Sequence, residues 1–437
     1  MMEVKPFRLP EDFLMGAATA ALQIEGGDEN NNWYRWCEEG RIKDGTHCIN
    51  ANDHWNRYSK DISLMDDLNF DIYRMGLEWS RIEPVKGEFS EEGIKHYREE
   101  IQELLDKDIT PLVTLHHFSH PLWLEDEGGW ENTEVIKYFE RYTSFVVEKL
   151  GDLVTDWITI NEPNVFIYGG YLEGFWPPGK KSILSSFRVM KNMIKAHIKS
   201  YKVIHQQRKI KGYKGNTMVG VANHIRIFQY EKDNILDKLA ANAHNYTFHK
   251  IIMEGMARGK LLFPLGTGNY PLGRGKFYDF IGINYYSRDI IRFVFNPSKL
   301  FTESRVKEGS EINDLGWEIY PEGIAQICRK YYNIYKAPIF ITENGICDEK
   351  DEKRSRFIYH HLKQLSDVIA EGVPVKRYYY WTLLDNFEWI EGESARFGLI
   401  HNEYATQERT VRESGRFYGE ICSKKEIDNE MIEEYIN

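Results

Sequence analysis

Long uncharged apolar runs are missing from this 437-residue sequence. No stretch reaches the ~18 residues that a membrane-spanning helix needs, and the first residues, MMEVKPFRLPEDF, lack the apolar core of a signal peptide. Basic residues are outnumbered, with 56 Lys and Arg against 67 Asp and Glu, which gives a formal net charge of −11. Because nucleic-acid-binding proteins usually carry a basic surplus, we expect no nucleic-acid partner. The missing apolar runs lead us to expect no membrane partner either.

Cysteine is scarce, and its spacing excludes the usual cysteine-based scaffolds. The five cysteines are scattered, odd in number and without a C-x-x-C pair: Cys37, Cys48, Cys328, Cys347 and Cys422. This pattern indicates neither a disulfide framework nor a zinc ribbon. We therefore expect reduced thiols in a cytoplasmic protein.

The overall composition is that of an ordinary globular protein, with 42% hydrophobic and 28% charged residues. Neither a repeat of fixed period nor a Pro/Gly/Ser-rich linker divides the chain, so we predict a single domain over residues 1–437. Aromatic residues reach 14%, including 11 Trp and 27 Tyr. Such an excess suits a site that stacks flat apolar ligand faces, or simply a large aromatic core, and composition does not separate the two.

Eight short apolar or aromatic runs alternate with longer helical patterns along the chain. The runs begin at Phe13, Phe70, Thr110, Thr155, Thr217, Phe280, Ala337 and Val375. Most are continuous rather than alternating, as expected of strands buried on both faces. Helical periodicity is clear at 91–107, 135–151 and 321–336. The pattern predicts an α/β fold, a single (β/α)₈ TIM barrel. A doubly wound sheet is the alternative, but the G-x-G-x-x-G fingerprint is missing after the first strand.

Polar or amphipathic residues stand at or just beyond the ends of most of these runs. They are Gln23, His117, Asn161, Glu162, Asn284, Glu343 and Trp381. In a parallel barrel the carboxyl ends of the strands converge on one face, which carries the active site. Each residue alone would be read as an ordinary loop residue. Together they predict a polar site at the barrel mouth.

Two of these residues are glutamates in similar surroundings. Glu162 lies in TINEP after the fourth run, and Glu343 lies in ITENG after the seventh. Paired carboxylates across a cleft are what cleavage of a glycosidic bond requires: one gives a proton to the leaving oxygen, and the other attacks the anomeric carbon. For the retaining reaction we expect the two carboxyl groups to lie ~5 Å apart.

The two motifs resemble the catalytic signatures of glycoside hydrolase family 1, the β-glucosidase family. The resemblance extends over nearly the whole chain, through FLMGAATAALQIEGG, YRMGLEWSRIEP, TLHHFSHPLWL, GYLEGFWPPG, DFIGINYYS, WTLLDNFEW and RFGLI. It implies retaining hydrolysis of terminal β-D-glucosyl residues through a covalent glycosyl-enzyme, with some activity on β-D-galactosides and no cofactor.

The resemblance also implies roles for individual residues. Glu162 matches the acid/base and Glu343 the nucleophile. Tyr286 matches a tyrosine that orients the nucleophile, with Asn284 beside it, and Arg74 matches an arginine that holds the nucleophile ionised.

The other matched positions contact the sugar. Asn161 matches the residue that binds the 2-hydroxyl, Trp381 the aromatic floor, and the outer hydroxyls fall to Gln23, His117, Glu388 and Trp389. Because a carboxylate at Glu388 would repel a phosphate, we expect an unphosphorylated sugar, with glucose and galactose both accepted.

Three alternatives differ from this interpretation. A metal site at His116 and His117 is disfavoured because adjacent residues on a strand point to opposite faces. A transglycosylase would use the same residues with a sugar acceptor in place of water. A non-hydrolytic glycan-binding barrel would not need both glutamates, and both are present. The sequence leaves the aglycone and the oligomeric state open.

Overall fold

The computed structural model describes residues 4–296 and 301–436. Eight parallel strands close into a barrel in which each strand pairs with its neighbours in the chain and the eighth pairs with the first. The strands are β1 Leu14–Ala18, β2 Ile72–Gly76, β3 Thr110–Thr114, β4 Asp156–Asn161, β5 Met218–His224, β6 Ile281–Asn284, β7 Ile339–Asn344 and β8 Val375–Trp381. All eight predicted strands are confirmed, and so is the (β/α)₈ barrel.

Helices cover the outside of the barrel, one connection after each strand. The long ones are His54–Asp67, Glu91–Asp106, Val135–Leu150, Ile183–Lys211, Glu322–Tyr335, Arg354–Ala370 and Glu413–Lys424. The connection from β5 to β6 carries Ile235–His244 and Ile251–Arg258, joined by a wider π-helical stretch, Asn245–Lys250. The predicted helices at 91–107, 135–151 and 321–336 are thus confirmed to within a residue at each end.

Shorter elements complete the described chain. Short helices follow several strands: Ala21–Glu25, Asn32–Glu38, Trp79–Ile82, Leu122–Asp126, Pro163–Ile167 and Asn429–Tyr435. A three-stranded sheet outside the barrel joins Ile227–Tyr230, Arg288–Phe293 and Thr302–Arg305. Two small antiparallel pairs link Phe7–Arg8 with Glu426–Ile427 and Ile400–Glu403 with Glu408–Val411. The sequence analysis did not predict the outer sheet, which adds side chains to one wall of the barrel mouth.

The barrel strands are buried along almost their whole length, as sheets covered on both faces require. Every residue of β4 and of β7 is buried. Within the described ranges, no helix combines the length and the apolar character needed to cross a lipid bilayer.

A buried ionic cluster lies between the first two outer helices. His54 Nδ1 lies 2.8 Å from Asp61 Oδ2, and its Nε2 lies 3.1 Å from Glu100 Oε1. Arg409 contacts the same Asp61 carboxylate at 2.9 Å. Burial by itself lowers the pKa of His54, but the hydrogen bonds to the two carboxylates outweigh it and raise the pKa to about 10. The ring is therefore an imidazolium in the folded protein.

Candidate active site

A cavity of about 660 Å³ opens at the carboxyl ends of the barrel strands. Seven of the eleven site residues predicted from the sequence line it: His117, Glu162, Tyr286, Glu343, Trp381, Glu388 and Trp389. The other four are not lining residues but are hydrogen-bonded to residues that are: Gln23, Arg74, Asn161 and Asn284. The fold thus brings all eleven predicted residues to one place.

Glu343 stands on β7 between two donors. Arg74 Nη1, from β2, lies 2.5 Å from Glu343 Oε1, and the Tyr286 hydroxyl donates to Oε2 over 2.6 Å. Arg74 and Glu343 are almost completely inaccessible to solvent. Each carboxylate oxygen therefore has its own donor, one of them a fixed positive charge.

Glu162, directly after β4, has an asparagine amide and an imidazole as partners instead of a guanidinium group. Its Oε1 accepts from Asn284 Nδ2 over 2.9 Å and contacts His224 Nδ1, also over 2.9 Å. Its backbone adopts φ +39°, in the left-handed region that non-glycine residues rarely occupy. The backbone N–H of Glu162 donates to the carbonyl of Ala222 over 2.8 Å, which holds this unusual conformation in place.

The two glutamates influence each other's charge. Burial raises the pKa of Glu343 to about 7; Arg74 opposes this rise, the negative charge of Glu162 adds to it, and the Tyr286 hydroxyl opposes it. Two carboxyl groups that interact in one buried cavity titrate as a pair.

Arg74 and Asn161 are hydrogen-bonded to each other and to residues that line the cavity. Arg74 Nη2 donates to Asn161 Oδ1 over 2.7 Å, and Asn161 Nδ2 lies 2.8 Å from His117 Nε2. Burial, with the nearby Arg74 charge, holds the pKa of His117 well below its usual value, so the ring is neutral. Because Nε2 accepts from Asn161, the remaining hydrogen lies on Nδ1.

Two aromatic side chains form the floor and side of the cavity. The His117 ring lies 5.7 Å from both the Trp381 and the Trp389 rings, tilted by 33° and 27°. Trp389 also packs against Trp33 at 4.8 Å, and its backbone has φ +50°. The cavity therefore has an aromatic surface of the kind that can stack on a flat apolar ligand face.

Glu388 and Gln23 form the polar end of the site. Gln23 Nε2 donates to Glu388 Oε2 over 3.1 Å and to Asn386 Oδ1 over 3.0 Å. Burial raises the pKa of Glu388 to about 8, although the hydrogen bond from Gln23 opposes the rise. The carboxyl is therefore largely protonated near neutral pH, so repulsion of a phosphate by its charge, expected from the sequence, develops only at higher pH.

Some buried polar atoms in this region have no partner in the described part of the chain. They include Gln23 Oε1 and His117 Nδ1. Unpaired buried polar atoms are costly and rare in folded proteins. A ligand that carries several hydroxyl groups can satisfy both an acceptor and a donor.

The sequence analysis missed His224. This residue ends β5 in the run TMVGVANH, so the rule that identified the other strand-end residues applied to it equally. Several apolar residues of the wall were also missed, namely Phe118, Tyr168, Phe175, Trp176, Phe228, Phe248, Leu315, Trp317 and Phe397. They come from loops, from the outer sheet and from two π-helical stretches, Tyr168–Leu172 and Asn245–Lys250, where no local pattern marks them.

One group of metal-ligating side chains was identified among the described residues, and none of its three members lines the cavity. Ligand atoms of Cys37, His47 and Cys48 lie within 4.8 Å of one another. Both ring nitrogens of His47 are already engaged, Nδ1 by the N–H of Ile49 at 3.0 Å and Nε2 by Glu38 at 3.1 Å. A metal would have to break one of these contacts. His116 and His117 do not face the same site. His116 accepts a hydrogen bond from Trp130, whereas His117 lines the cavity.

A closed (β/α)₈ barrel with two carboxylates, an aromatic floor and a polar rim at the carboxyl end of its strands has the architecture of a barrel glycosidase. Comparison with known proteins agrees. The model of glycosyl hydrolase family 1 matches residues 5–265 and 272–427. This chain belongs to that family.

Individual relatives are similar over their full length. Beta-glucosidase A of Thermotoga maritima is 34% identical, and the match covers 98% of this chain and 100% of the relative. The solved structure of a beta-glycosidase from Pyrococcus horikoshii is 38% identical, with a TM-score of 0.90 and 98% of each chain covered. A structure of the Thermotoga maritima beta-glucosidase in complex with glucoimidazole has a TM-score of 0.88 at 31% identity, over 96% of this chain and 99% of that one.

Proposed function

We propose that this protein hydrolyses terminal, non-reducing β-D-glucosyl residues of β-glycosides with retention of anomeric configuration. The observation that carries the proposal is that two carboxyl groups in one cavity have different hydrogen-bond donors. Glu343 has an arginine and a tyrosine hydroxyl as donors, whereas the Glu162 carboxyl accepts from neutral Asn284. The name of the Thermotoga maritima relative, a beta-glucosidase, supports the same substrate class.

The first step forms a covalent glycosyl-enzyme. Glu343 attacks the anomeric carbon with one carboxylate oxygen, while Glu162 gives its proton to the leaving glycosidic oxygen. Arg74 and Tyr286 stabilise the ionised form of Glu343 before attack. The step requires the proton on Glu162 and the negative charge on Glu343, the carboxylate with the stronger donors.

The second step releases the sugar. Glu162, now ionised, removes a proton from a water molecule that attacks the anomeric carbon from the face left by the aglycone. The bond to Glu343 breaks, and the proton taken from water stays on Glu162, which regenerates the acid. Both inversions at one carbon give net retention, and the steps need no cofactor.

The remaining predicted residues are proposed to bind the sugar. Trp381 lies beneath the apolar face of the ring, and Asn161 contacts the 2-hydroxyl. Gln23, His117, Glu388 and Trp389 surround the outer hydroxyls. Because a carboxyl at Glu388 both donates and accepts when protonated, it accommodates either orientation of the 4-hydroxyl, which supports activity on β-D-galactosides as well.

Two glutamate variants test the proposal. Glu343→Gly is expected to abolish turnover of 4-nitrophenyl β-D-glucoside, and azide is expected to restore a product of α configuration by filling the vacated space. Glu162→Gln is expected to slow substrates with poor leaving groups far more than those with good ones, since good leaving groups need little protonation. Undiminished activity of Glu343→Gly would overturn the nucleophile assignment.

Proton NMR of the first product tests the stereochemistry. Retention gives β-D-glucose before mutarotation, and release of the α anomer would refute the double displacement. Product analysis with added sugar acceptor separates hydrolysis from transglycosylation. Binding of glucoside without turnover would favour the glycan-binding alternative.

We also propose that the protein forms one domain and works in the cytoplasm. All five cysteines are free and buried, and the sulfur atoms of Cys37 and Cys48 lie 3.6 Å apart without a covalent bond. A pair this close is expected to oxidise in a secretory compartment. Thiol counting on protein from gently lysed native cells, together with fractionation, tests the location.

A further inference from the structure

His224 is fixed against the carboxyl group of Glu162. Its Nδ1 lies 2.9 Å from Glu162 Oε1, and the side chain is almost completely buried. The ring stacks on Tyr286 at 5.8 Å with an angle of 21°, and its edge meets Phe248 at 6.1 Å. The His224 carbonyl accepts from Asn164 over 2.8 Å, which anchors the backbone as well. The imidazole therefore has little freedom to turn away from Glu162.

Both hydrogen bonds to the Glu162 carboxyl converge on the same oxygen. Asn284 Nδ2 donates to Oε1 over 2.9 Å, and the amide nitrogen of asparagine has no other role than donor. His224 reaches the same Oε1. Across the described residues, no donor reaches Oε2. With the ring hydrogen of His224 on Nδ1, Oε1 accepts from two N–H groups and is the carbonyl oxygen of the carboxylic acid, so the acid proton belongs on Oε2.

We infer that His224, as the Nδ1–H tautomer, is a positioning residue that places the acid proton of Glu162 on Oε2. The inference rests on the proposed role of Glu162 as acid/base. In the first step the Oε2–H bond breaks as the bond from hydrogen to the leaving oxygen forms. In the second step Oε2 takes a proton from water. His224 keeps its own proton throughout.

The same contact stabilises the charge that appears on Glu162 when the proton leaves. A hydrogen bond to a charged acceptor is stronger than one to a neutral acceptor, so the contact with His224 strengthens as the leaving group is protonated. Loss of such a bond is expected to slow that step about ten- to a hundredfold. The loss should be confined to reactions in which proton transfer is needed.

Several titratable groups surround His224. They are Glu162 after β4, Tyr286 after β6, Arg226 and Asp289 at the outer sheet, and His244 and His249 in the connection from β5 to β6. Arg226 is ion-paired with Asp289 at 2.8 Å. The burial of His249, together with the nearby cations, holds its pKa well below its usual value, so its ring is neutral. An N–H donor favours the ionised carboxylate, so the His224 contact assists release of the proton from Glu162 to the leaving oxygen.

Two substitutions at this position provide a matched pair. His224→Asn keeps a donor nitrogen at the δ position, where Nδ1 stands now, whereas His224→Leu keeps the volume of an apolar side chain and removes the donor. Both variants are to be compared with the wild type by thermal unfolding. The kinetic readout is kcat/KM for phenyl and for 2,4-dinitrophenyl β-D-glucoside over the whole pH range.

For His224→Leu we expect kcat/KM for the phenyl glucoside to fall about ten- to a hundredfold, with the dinitrophenyl glucoside nearly unaffected. His224→Asn should restore the rate on the phenyl glucoside. An equal loss on both substrates, or an asparagine variant as impaired as the leucine variant, would each overturn the inference. Glu162→Gln, measured alongside, distinguishes a failure of the His224 inference from a failure of the proposed acid role of Glu162. If this variant does not discriminate between the leaving groups, the acid role itself fails.

Discussion

Replacing Tyr286 with phenylalanine directly tests how Glu343 is kept ionised. The Tyr286 hydroxyl donates to Glu343 Oε2 over 2.6 Å, and both side chains are buried. A hydrogen bond to a charged group contributes about 1.5–3 kcal/mol, and one pKa unit corresponds to about 1.4 kcal/mol. The substitution removes a donor that favours the ionised carboxylate, so the pKa of Glu343 should rise by about one to two units.

The expected kinetic consequence follows from the starting value. Burial already raises the pKa of Glu343 to about 7, so a further rise leaves a tenth or less, roughly, of the nucleophile ionised at neutral pH. For 4-nitrophenyl β-D-glucoside, kcat/KM at pH 7 should fall about tenfold or more, and the acidic limb of its pH profile should move up by about one to two units. Above the new pKa the difference from wild type should shrink.

The adjacent tyrosine provides the control. Tyr285 is also buried, but its hydroxyl donates to the carbonyl of Tyr320 over 2.5 Å and not to Glu343. Tyr285→Phe should lower thermal stability and leave the acidic limb in place. Phenylalanine at 286 keeps the ring that packs against His224 and Trp317. If the acidic limb of Tyr286→Phe coincides with that of the wild type, the hydroxyl does not set the charge of Glu343 and the reasoning is refuted.

Two further predictions concern buried ionisable groups. Because burial raises the pKa of Glu388 to about 8, preference for glucoside over 6-phosphoglucoside should increase at least about tenfold between pH 7 and pH 9. The ratio of the two kcat/KM values should stay flat in Glu388→Gln, and a flat ratio in the wild type would contradict the argument. For His54, whose folded pKa of about 10 lies above the unfolded value near 6.5, its contribution to stability is complete below pH 6.5 and disappears as the pH rises through about 10. Urea unfolding should show a free energy of unfolding that falls by a few kcal/mol over this window, and His54→Gln should show a clearly smaller slope.

The regular part of the fold was predictable because its signals are local. Each barrel strand is a short buried run, such as APIFITENG for β7, and the intervening helices show their period within a single segment. The outer sheet was not predictable in the same way. Its strand Ile227–Tyr230 is only partly buried and pairs with Arg288–Phe293, about sixty residues away, so its pattern is weak and its partner remote.

The site was predictable to the level of residues but not of atoms. Strand-end position and the family resemblance identified eleven side chains that the structure brings together. They did not reveal that His224 contacts Glu162, since that contact joins the ends of two strands 62 residues apart. Nor did they indicate that Glu388 is buried deeply enough to hold its proton near neutral pH.

The sequence by itself determined the order of eight strands and which polar side chains would emerge at their carboxyl ends, because hydrophobic period and strand direction are properties of consecutive residues. The tertiary structure decided which oxygen of each glutamate receives a donor and how far each carboxyl is removed from water. Hydrogen bonding and desolvation depend on distances between residues remote in the chain, and these two quantities determine where the protons reside.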